Sequence, residues 1–258
     1  VALHTAEAQR LVALCGRRGE VPVVGGVDAR YRDIHSAAQR SDYDGAGAVD
    51  FIVERAMATS SQPLTLLAIG KLTNIALALA AEPDITSRIR LVWLGSNYPA
   101  PGEYNLVHDE EALEAVLASG VALEIVTVRY LEPSGTDAVK VSLAAAQQQL
   151  PGLGPLIVPP VSGRHGGEFS HVGDYLLNLF RQFRGSPRER PLFDMAAVAI
   201  LKNPGWAEAR HIGAPRYADS KWHEQPGNPQ RLTLWENFDR EAIVSDLFAT
   251  LRAATSEY

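Results

Sequence analysis

The sequence has few of the features that mark secreted, membrane-spanning or nucleic-acid-binding proteins. Cys15 is the one cysteine in 258 residues, so neither an internal disulfide nor a cysteine metal cluster can form. The formal net charge is -6 and no run of basic residues exceeds Arg17-Arg18, which argues against a nucleic-acid surface. No apolar run approaches the roughly 20 residues that span a bilayer, and the start lacks a signal-peptide pattern. We therefore expect a cytoplasmic protein that binds a small molecule and contacts neither nucleic acid nor membrane.

Short apolar runs alternate with helical patterns along most of the chain. Strands are predicted at residues 21–26, 66–69, 89–95 and 121–128, near Arg210 and at 232–235. Helices are predicted at residues 5–14, 49–56, 73–79, 109–119, 138–150, 175–183, 193–201 and 239–254. This alternation predicts an α/β fold with an open, mostly parallel, Rossmann-like sheet that has helices on both faces. The length suits one domain, so we expect a single domain over residues 1–258.

The stretch LLAIGKLTNIALAL, residues 66–79, predicts a strand, a tight turn at Gly70-Lys71 and a helix. Such a turn resembles the phosphate-binding P-loop. That motif also needs a glycine five residues before the Gly-Lys pair and a Ser or Thr directly after the lysine. Thr65 and Leu72 occupy those places, which argues against the P-loop. The carboxyl end of a strand is still the place where open α/β sheets bind their ligands.

Two more segments accompany this stretch: GSNYPAPGEYNLVHDEEA (95–112) and PLFDMAAVAIL (191–201). As an ordered set, the three segments resemble the inosine-uridine preferring nucleoside hydrolases, which cleave the bond between a ribose and its base. The resemblance extends over almost the whole chain and includes ENFDREAI (236–243). It implies a nucleoside hydrolase-type fold, hydrolysis of the N-glycosidic bond of ribonucleosides, and a part in purine and pyrimidine salvage. It also implies a homo-oligomer, a dimer or a tetramer.

The same resemblance implies a calcium ion that orients the attacking water and binds two ribose hydroxyls. The backbone carbonyl of Ile69 and the carboxylate of Asp194 correspond to calcium ligands of the family. Calcium takes six to eight oxygen ligands, and a bound dication eases deprotonation of its water. Thr73 and Asn74 would brace the turn and cap the helix, and for these two side chains capping alone is the simpler interpretation. A helix N-cap is also the alternative for Asp194.

Glu103 and Asn105 match the Glu-aromatic-Asn element that binds sugar hydroxyls in the family. Asn97 corresponds to a family asparagine that also touches the ribose. Phe193 stands where many relatives carry a histidine that helps to protonate the leaving base. A phenyl ring can stack on a base but cannot donate a proton, so the base preference stays open. The alternative for Glu103 and Asn105 is a polar surface loop that Asp109 caps.

The general base of the family has no counterpart in this sequence, so the catalytic residue is unassigned. Family members begin with a strand that leads into Asp-x-Asp-x-x-x-Asp-Asp, and nothing in residues 1–50 has that form. Asp42 and Asp44 could share an ion, but a solvated turn is the simpler interpretation. His165 and His171 are candidate acids for the leaving base. Relative to the family we expect an N-terminally incomplete domain, with a true short variant re-paired by another subunit as the alternative.

Two function hypotheses follow. The first is a calcium-dependent nucleoside hydrolase, or the bulk of one. The second is a catalytically silent family member that binds a ribosyl or other sugar ligand through Glu103, Asn105 and Asn97. Both predict that the site residues, although far apart in sequence, gather around one cavity.

Overall fold

The structure is a computed structural model that describes residues 1–40, 42–58, 61–184 and 188–255. Its helices are α1 (Ala2–Leu14), α2 (Tyr31–Ile34), α3 (Ala46–Ala58), α4 (Thr73–Ala81), α5 (Tyr104–Val107), α6 (Glu110–Ser119), α7 (Leu143–Gln149), α8 (Val172–Gln182), α9 (Phe193–Lys202) and α10 (Arg240–Thr255). Its strands are β1 (Leu64–Ala68), β2 (Ile89–Leu94), β3 (Ala122–Val126), β4 (Lys140–Ser142), β5 (Val161–Ser162), β6 (Glu168–Phe169), β7 (Glu189–Pro191), β8 (Glu208–Gly213), β9 (Arg216–Ala218), β10 (Lys221–His223) and β11 (Arg231–Glu236).

The chain forms two compact units. One comprises residues 26–138 and 193–239 and is called the sheet unit here. The other, called the second unit, comprises residues 1–25, 139–192 and those from Arg240 onward. Each unit has its own apolar core, and each is described by itself. The expectation of one domain over the whole chain stays a prediction.

The sheet unit is built on five strands in the order β1-β2-β3-β11-β8. The first four run parallel, and β8 pairs antiparallel with β11 at the edge. Leu91, Val92 and Trp93 in β2 are fully buried, which explains why this strand has a continuous apolar run rather than an alternating one. These observations confirm the predicted α/β fold with an open, mostly parallel sheet.

Two helices of the sheet unit, α4 and α9, begin at the predicted residues 73 and 193, whereas α3 extends beyond its predicted 49–56 and the four-residue helices α2 and α5 are absent from the prediction. In α4, Leu77 and Ala78 are fully buried together with most of their neighbours, as expected for a helix that is apolar on nearly all sides. The Asp109 side chain accepts the Ala112 N–H at 3.4 Å and caps α6. That helix ends at Gly120, which has a φ of 79° in the left-handed region that glycine adopts without strain.

The second unit contains α1, α7, α8 and α10 with two short antiparallel ladders, β4 with β7 and β5 with β6. Tyr175 and Phe248 are among its buried side chains. Strands of two or three residues are too short to show a period in the sequence, so the ladders are absent from the sequence prediction. For the same reason the helix predicted at residues 138–150 begins later, at Leu143, because Lys140–Ser142 forms β4.

The strand predicted at residues 21–26 is wrong. This segment pairs with no strand in the described part of the chain, and Val21 and Val24 are 48% and 43% exposed. An apolar run becomes a strand only when a neighbouring strand takes up its N–H and C=O groups. The first helix also differs from its prediction, because α1 begins at Ala2 rather than near Thr5. Within the described residues, no helix combines the length and the apolar character that a bilayer crossing requires.

Candidate functional site

A cavity of about 370 Å³ opens at the carboxyl ends of three parallel strands. The segments that follow β1, β2 and β3 meet the first turn of α9 there, at the edge where open α/β sheets bind their ligands. The lining residues are Ile69, Leu94, Glu103, Tyr104, Asn105, Val128, Tyr130, Phe193 and Asp194. Larger grooves, of about 690 and 780 Å³, lie elsewhere on the sheet unit and contain none of the predicted site residues. The structure therefore brings together the predicted site residues except Asn97.

Glu103 is held in place by the backbone of its own loop. Glu103 is only 5% exposed. Its Oε2 accepts hydrogen bonds from the backbone N–H groups of Ser96 and Leu106, both at 3.0 Å. The Leu106 bond makes Glu103 the N-cap of α5. Oε1 accepts no hydrogen bond from the described residues. One carboxylate oxygen thus fixes the side chain, and the other is available to a ligand.

Asn105 and Asn97 are also anchored, with different consequences. The Asn105 amide Nδ2 donates to the Leu94 carbonyl at 2.9 Å, while its Oδ1 has no partner among the described residues. Asn97 uses both ends of its amide: Nδ2 donates to the Gly102 carbonyl, and Oδ1 accepts the Tyr130 N–H at 3.3 Å. Asn97 therefore braces the loop and is not part of the cavity lining. Its expected contact with a ribose stays a prediction.

Asp194 and Ile69 form the open side of the cavity. Asp194 is the second residue of α9, so it does not occupy the N-cap position proposed as its structural alternative. The carboxylate is exposed and forms no hydrogen bond with the described residues. Even so, the surrounding protein raises the pKa of Asp194 by partial desolvation, and the negative charge of Glu103 raises it further. Ile69 follows β1 and is 48% exposed.

Aromatic side chains make up another part of the lining. Tyr130 and Phe193 meet edge to face, with ring centroids 6.0 Å apart at 89°. Tyr104 is 64% exposed and packs on His108 at 4.2 Å. Burial raises the pKa of Tyr130, and the charge of Glu103 adds to this shift. The sequence analysis did not identify Tyr130 as a site residue, although its position just after β3 is the signal that the strand-end rule provides.

The Gly70-Lys71 turn binds protein groups. Lys71 Nζ donates to the carbonyls of Asp28 and Ala29 at 2.7 and 2.8 Å, and the Gly70 carbonyl accepts the indole N–H of Trp93 at 3.0 Å. These contacts explain a Gly-Lys turn without a phosphate.

The side chains after that turn brace it but do not cap α4. Thr73 Oγ1 donates to Asp109 Oδ2, and Asn74 Oδ1 accepts the Val27 N–H at 2.9 Å. Neither forms a cap hydrogen bond with α4, so the capping role expected for Thr73 and Asn74 is wrong. Both side chains instead connect the start of α4 to segments that are distant in sequence, at Asp109 and Val27.

An ionic cluster centred on the buried Arg129 lies beside the cavity. The residue is 8% exposed, and its Nη2 donates to Glu236 Oε2 at 2.6 Å and its Nη1 to Ser134 Oγ at 3.0 Å. Arg210 donates to the other oxygen of Glu236 at 2.7 Å. Burial alone would raise the pKa of Glu236, but the hydrogen bonds from Arg210 and Arg129 outweigh burial and lower it. No local sequence pattern marks this cluster, because its members meet only through the strand order of the sheet.

The oxygen donors around the cavity do not complete a calcium site. The Ile69 carbonyl and the Asp194 carboxylate are available, and Glu103 has one oxygen left. Calcium takes six to eight oxygen ligands. Among the residues that the structure describes, no group of three or more His, Cys, Asp or Glu side chains is placed to hold a metal ion. Asp42 does not add to the set, because it is exposed and pairs with Arg40 at 3.2 Å.

The histidines considered as proton donors belong to the second unit. His171 Nδ1 lies 3.1 Å from the Gly154 carbonyl, and His165 is exposed. His165 lines a separate cavity of that unit, of about 460 Å³, together with Glu7, Arg164 and Phe183. Their expected role toward a leaving base stays a prediction.

The chain is similar to several known proteins over most of its length. The family model described as "Inosine-uridine preferring nucleoside hydrolase" matches residues 1–244. The pyrimidine-specific ribonucleoside hydrolase RihA of Klebsiella pneumoniae (strain 342) is 36% identical over 222 residues, which cover 77% of this chain and 64% of that protein. RihA of Salmonella paratyphi A (strain ATCC 9150 / SARB42) is 30% identical over 269 residues, which cover 90% of this chain and 80% of that protein. The chain thus spans less than two thirds of the Klebsiella relative.

Solved structures support the fold. The purine-preferring ribonucleoside hydrolase from Gardnerella vaginalis superposes with a TM-score of 0.76 at 17% identity and covers 100% of this chain and 87% of that one. A plant nucleoside hydrolase superposes with a TM-score of 0.72 at 19% identity and covers 98% of this chain and 86% of that one. At these identities the likeness establishes the fold alone.

Proposed function

This chain belongs to the inosine-uridine preferring nucleoside hydrolase family, and from that premise we propose that it hydrolyses the N-glycosidic bond of ribonucleosides to give ribose and a free base. One observation carries the proposal: a single cavity combines carboxylate and amide oxygens with aromatic rings. The oxygens suit a polyol, and the rings suit a flat heterocycle. A ribonucleoside has both parts.

The sugar would be bound through oxygens that the protein has already fixed in place. Glu103 Oε1 and Asn105 Oδ1 are acceptors without described partners, while the other end of each side chain is hydrogen-bonded to backbone. Hydroxyl groups on neighbouring ribose carbons can donate to two such acceptors. Because the side chains are held before the ligand arrives, little rotamer entropy is lost on binding.

The charges of the cavity suit the transition state of this reaction. Cleavage of a glycosidic bond passes through an oxocarbenium-like state in which positive charge develops on the sugar ring. The carboxylates of Glu103 and Asp194 lie in the same cavity and raise its negative potential, which would stabilise that charge. The group that deprotonates the attacking water is unassigned among the described residues.

The aromatic residues would bind the base. Phe193 cannot protonate a leaving group, but the neighbouring Tyr130 carries a phenolic hydroxyl, which is protonated at neutral pH and has a pKa that burial raises further. A protonated phenol can donate a hydrogen bond to the departing base. The base subsite therefore has a donor even where the family histidine is replaced.

Calcium takes no part in the steps proposed above. The described donors fall short of the number that calcium needs, so Asp194 and the Ile69 carbonyl would hold the ion only together with other oxygens. We propose calcium as a factor to be tested. If it binds at Asp194, added calcium should raise the melting temperature of the native chain and leave that of Asp194→Ala unchanged.

The relatives suggest the substrate range. The two curated relatives are called pyrimidine-specific, so we propose uridine and cytidine as the first substrates to assay, with inosine as the purine comparison. We also propose that the protein works as a homo-oligomer in the cytoplasm, where it would return free bases from nucleosides to salvage.

The test is release of base by this 258-residue chain, measured with and without added calcium. We expect turnover of at least one nucleoside, and we expect Asp194→Asn to abolish it. Asp42→Asn is the matched control, because it makes the same chemical change at an exposed turn carboxylate. No turnover of any nucleoside under either condition would overturn the hydrolase proposal, and equal rates for the two variants would remove Asp194 from the site.

The incomplete metal site favours a second candidate function, ligand binding without catalysis. A family member that binds a ribosyl ligand without turnover needs Glu103, Asn105 and the aromatic wall, but no calcium carboxylates. That function predicts saturable binding of uridine or ribose together with no release of base. The turnover assay and a binding titration on the same preparation distinguish the two functions.

A further inference from the structure

We propose that Arg129 is a positioning residue for the ligand-binding carboxylate Glu103, and that it acts through a hydrogen-bond relay in the loop between β2 and α5. The inference rests on the proposed function of Glu103 as a ligand-binding group. Arg129 itself does not line the cavity, although both of its sequence neighbours, Val128 and Tyr130, do. Its guanidinium instead contacts the backbone of the loop that carries Glu103.

The relay consists of three hydrogen bonds. Arg129 Nε donates to the Tyr98 carbonyl at 2.9 Å. The Tyr98 N–H donates to Ser96 Oγ at 2.8 Å, and the Ser96 N–H donates to Glu103 Oε2 at 3.0 Å. The oxygen that receives the last bond is the one that fixes the Glu103 carboxylate, so the position of Glu103 depends on the Ser96 backbone.

Two residues of this relay have a backbone conformation that the surrounding structure must stabilise. Ser96 has a φ of 74° and Arg129 a φ of 45°, in the left-handed region that residues with a side chain rarely adopt. The segment containing Arg129 is packed closely. A Cβ atom at Gly135 would lie 2.0 Å from the Val128 carbonyl oxygen, so only glycine fits there. Val128 in turn donates its N–H to the Ser96 carbonyl at 2.8 Å, which joins the two segments.

The shape of the guanidinium explains why an arginine holds this place. Arg129 donates in three directions at once, to Tyr98, to Ser134 and to Glu236. The planar guanidinium has five fixed donors, whereas the lysine ammonium is a compact charge that cannot span such a set. A lysine would keep the charge opposite Glu236 and lose the bond to the loop.

Arg210 offers a matched control within the same cluster. It pairs with the same carboxylate, Glu236, but its side chain is 46% exposed and forms no hydrogen bond with the described residues of the loop. Arg129→Lys and Arg210→Lys therefore make the same chemical change around one carboxylate. Only the first change removes a bond to the ligand-binding loop.

The experiment measures the loop directly, by hydrogen exchange with mass spectrometry on the full chain without ligand. Arg129→Lys should speed amide exchange at least tenfold in peptides covering residues 96–106, where the N–H groups of Ser96 and Leu106 bond to Glu103. Exchange in β2 and β3 should stay unchanged, and Arg210→Lys should leave the loop protected. Unchanged loop exchange in Arg129→Lys, or equal changes in both variants, would overturn the proposal whatever the protein binds.

A second measurement links the loop to the ligand. Uridine titrations should give a dissociation constant at least tenfold larger for Arg129→Lys than for Arg210→Lys, with melting temperatures of the two variants within a few degrees of each other.

If Arg129→Lys fails to fold, Ser96→Ala breaks the same relay without touching the buried charge and should increase loop exchange in the same peptides. A protected loop in Ser96→Ala would overturn the relay. If neither the native chain nor a variant binds uridine, the proposed function fails while the exchange result still decides the positioning role.

Discussion

The two sides of the cavity are built in different ways. On one side, Glu103 and Asn105 each use one end of the side chain to bind backbone, and a loop held by Arg129 supports them. On the other side, Asp194 and the Ile69 carbonyl form no hydrogen bond with the described residues, and both residues are exposed. The closed side is preorganised by the chain itself. The open side has the ligand groups but not the support that would fix them.

This difference predicts different effects of substitutions on stability and on ligand binding at the two sides. A side chain that both caps a helix and binds a ligand should affect stability and binding when it is changed. A side chain that only faces an open cavity should affect ligand chemistry and leave stability almost unchanged. Variants on the two sides therefore test whether the asymmetry is real.

The largest effect is expected on the closed side, at Glu103. Glu103→Ala removes the cap acceptor of α5 and the ligand oxygen together, so it should weaken uridine binding beyond detection and lower the free energy of unfolding by about 1 to 2 kcal/mol. Glu103→Gln keeps an acceptor and loses the charge, so it should weaken binding by roughly tenfold, which is about 1.4 kcal/mol. Calorimetric titration and urea unfolding give the two quantities. A Gln variant that loses stability but binds normally would make Glu103 a structural residue only.

A smaller effect is expected at Tyr130. Tyr130→Phe keeps the edge-to-face contact with Phe193 and removes the hydroxyl. Turnover should fall by roughly tenfold to a hundredfold, at the low end of what a proton donor contributes, while substrate affinity changes little. Steady-state kinetics with uridine separates kcat from KM. An unchanged kcat would mean that the hydroxyl does not assist the departing base.

The ionic cluster behind the closed side predicts a pH dependence. The pKa of Glu236 is lowered in the folded protein from the ordinary glutamate value of 4.5. As the pH falls, the unfolded chain therefore takes up a proton at this residue before the folded protein does. The contribution of Glu236 to stability is therefore present above that ordinary value and is lost as the pH falls through the lowered pKa. Urea unfolding at a series of acidic pH values should show a steeper loss for the native chain than for Glu236→Gln. Parallel curves would contradict the cluster.

The smallest effect is expected for the stability of variants on the open side. Asp194→Asn should change the free energy of unfolding by less than about 0.5 kcal/mol, and toward greater stability at neutral pH, because a group with a raised pKa is more easily accommodated when neutral. Asp109→Asn is the comparison: this buried carboxylate accepts bonds from Tyr31, Thr73 and Ala112, so its loss should cost about 1 to 3 kcal/mol. Equal losses for the two variants would contradict the described asymmetry.

The sequence carries enough information for the parallel part of the sheet and for the cavity. Apolar runs such as residues 89–95 are long and bounded by turns, so the pattern locates the strands. The strand-end rule places the turn after Ile69 at the ligand-binding edge, whereas Glu103 and Asn105 are identified only through the resemblance to the nucleoside hydrolase family. Single residues after a strand, such as Tyr130, are harder to identify because one aromatic carries no pattern. The cluster of Arg129, Glu236 and Arg210 depends on which strands become neighbours, and strand order leaves no local trace. The error at residues 21–26 has a related cause, since an apolar run does not reveal whether a pairing strand is present.

The central claim is that this cavity binds a ribonucleoside through its sugar hydroxyls, and calorimetry with uridine and its 2′,3′-dideoxy analogue tests it most directly. The account predicts saturable binding of uridine to the native chain, at least tenfold weaker binding of the dideoxy analogue, and a smaller difference between the two compounds in Glu103→Gln. Equal affinity of the native chain for both compounds, or no binding of either, would contradict it.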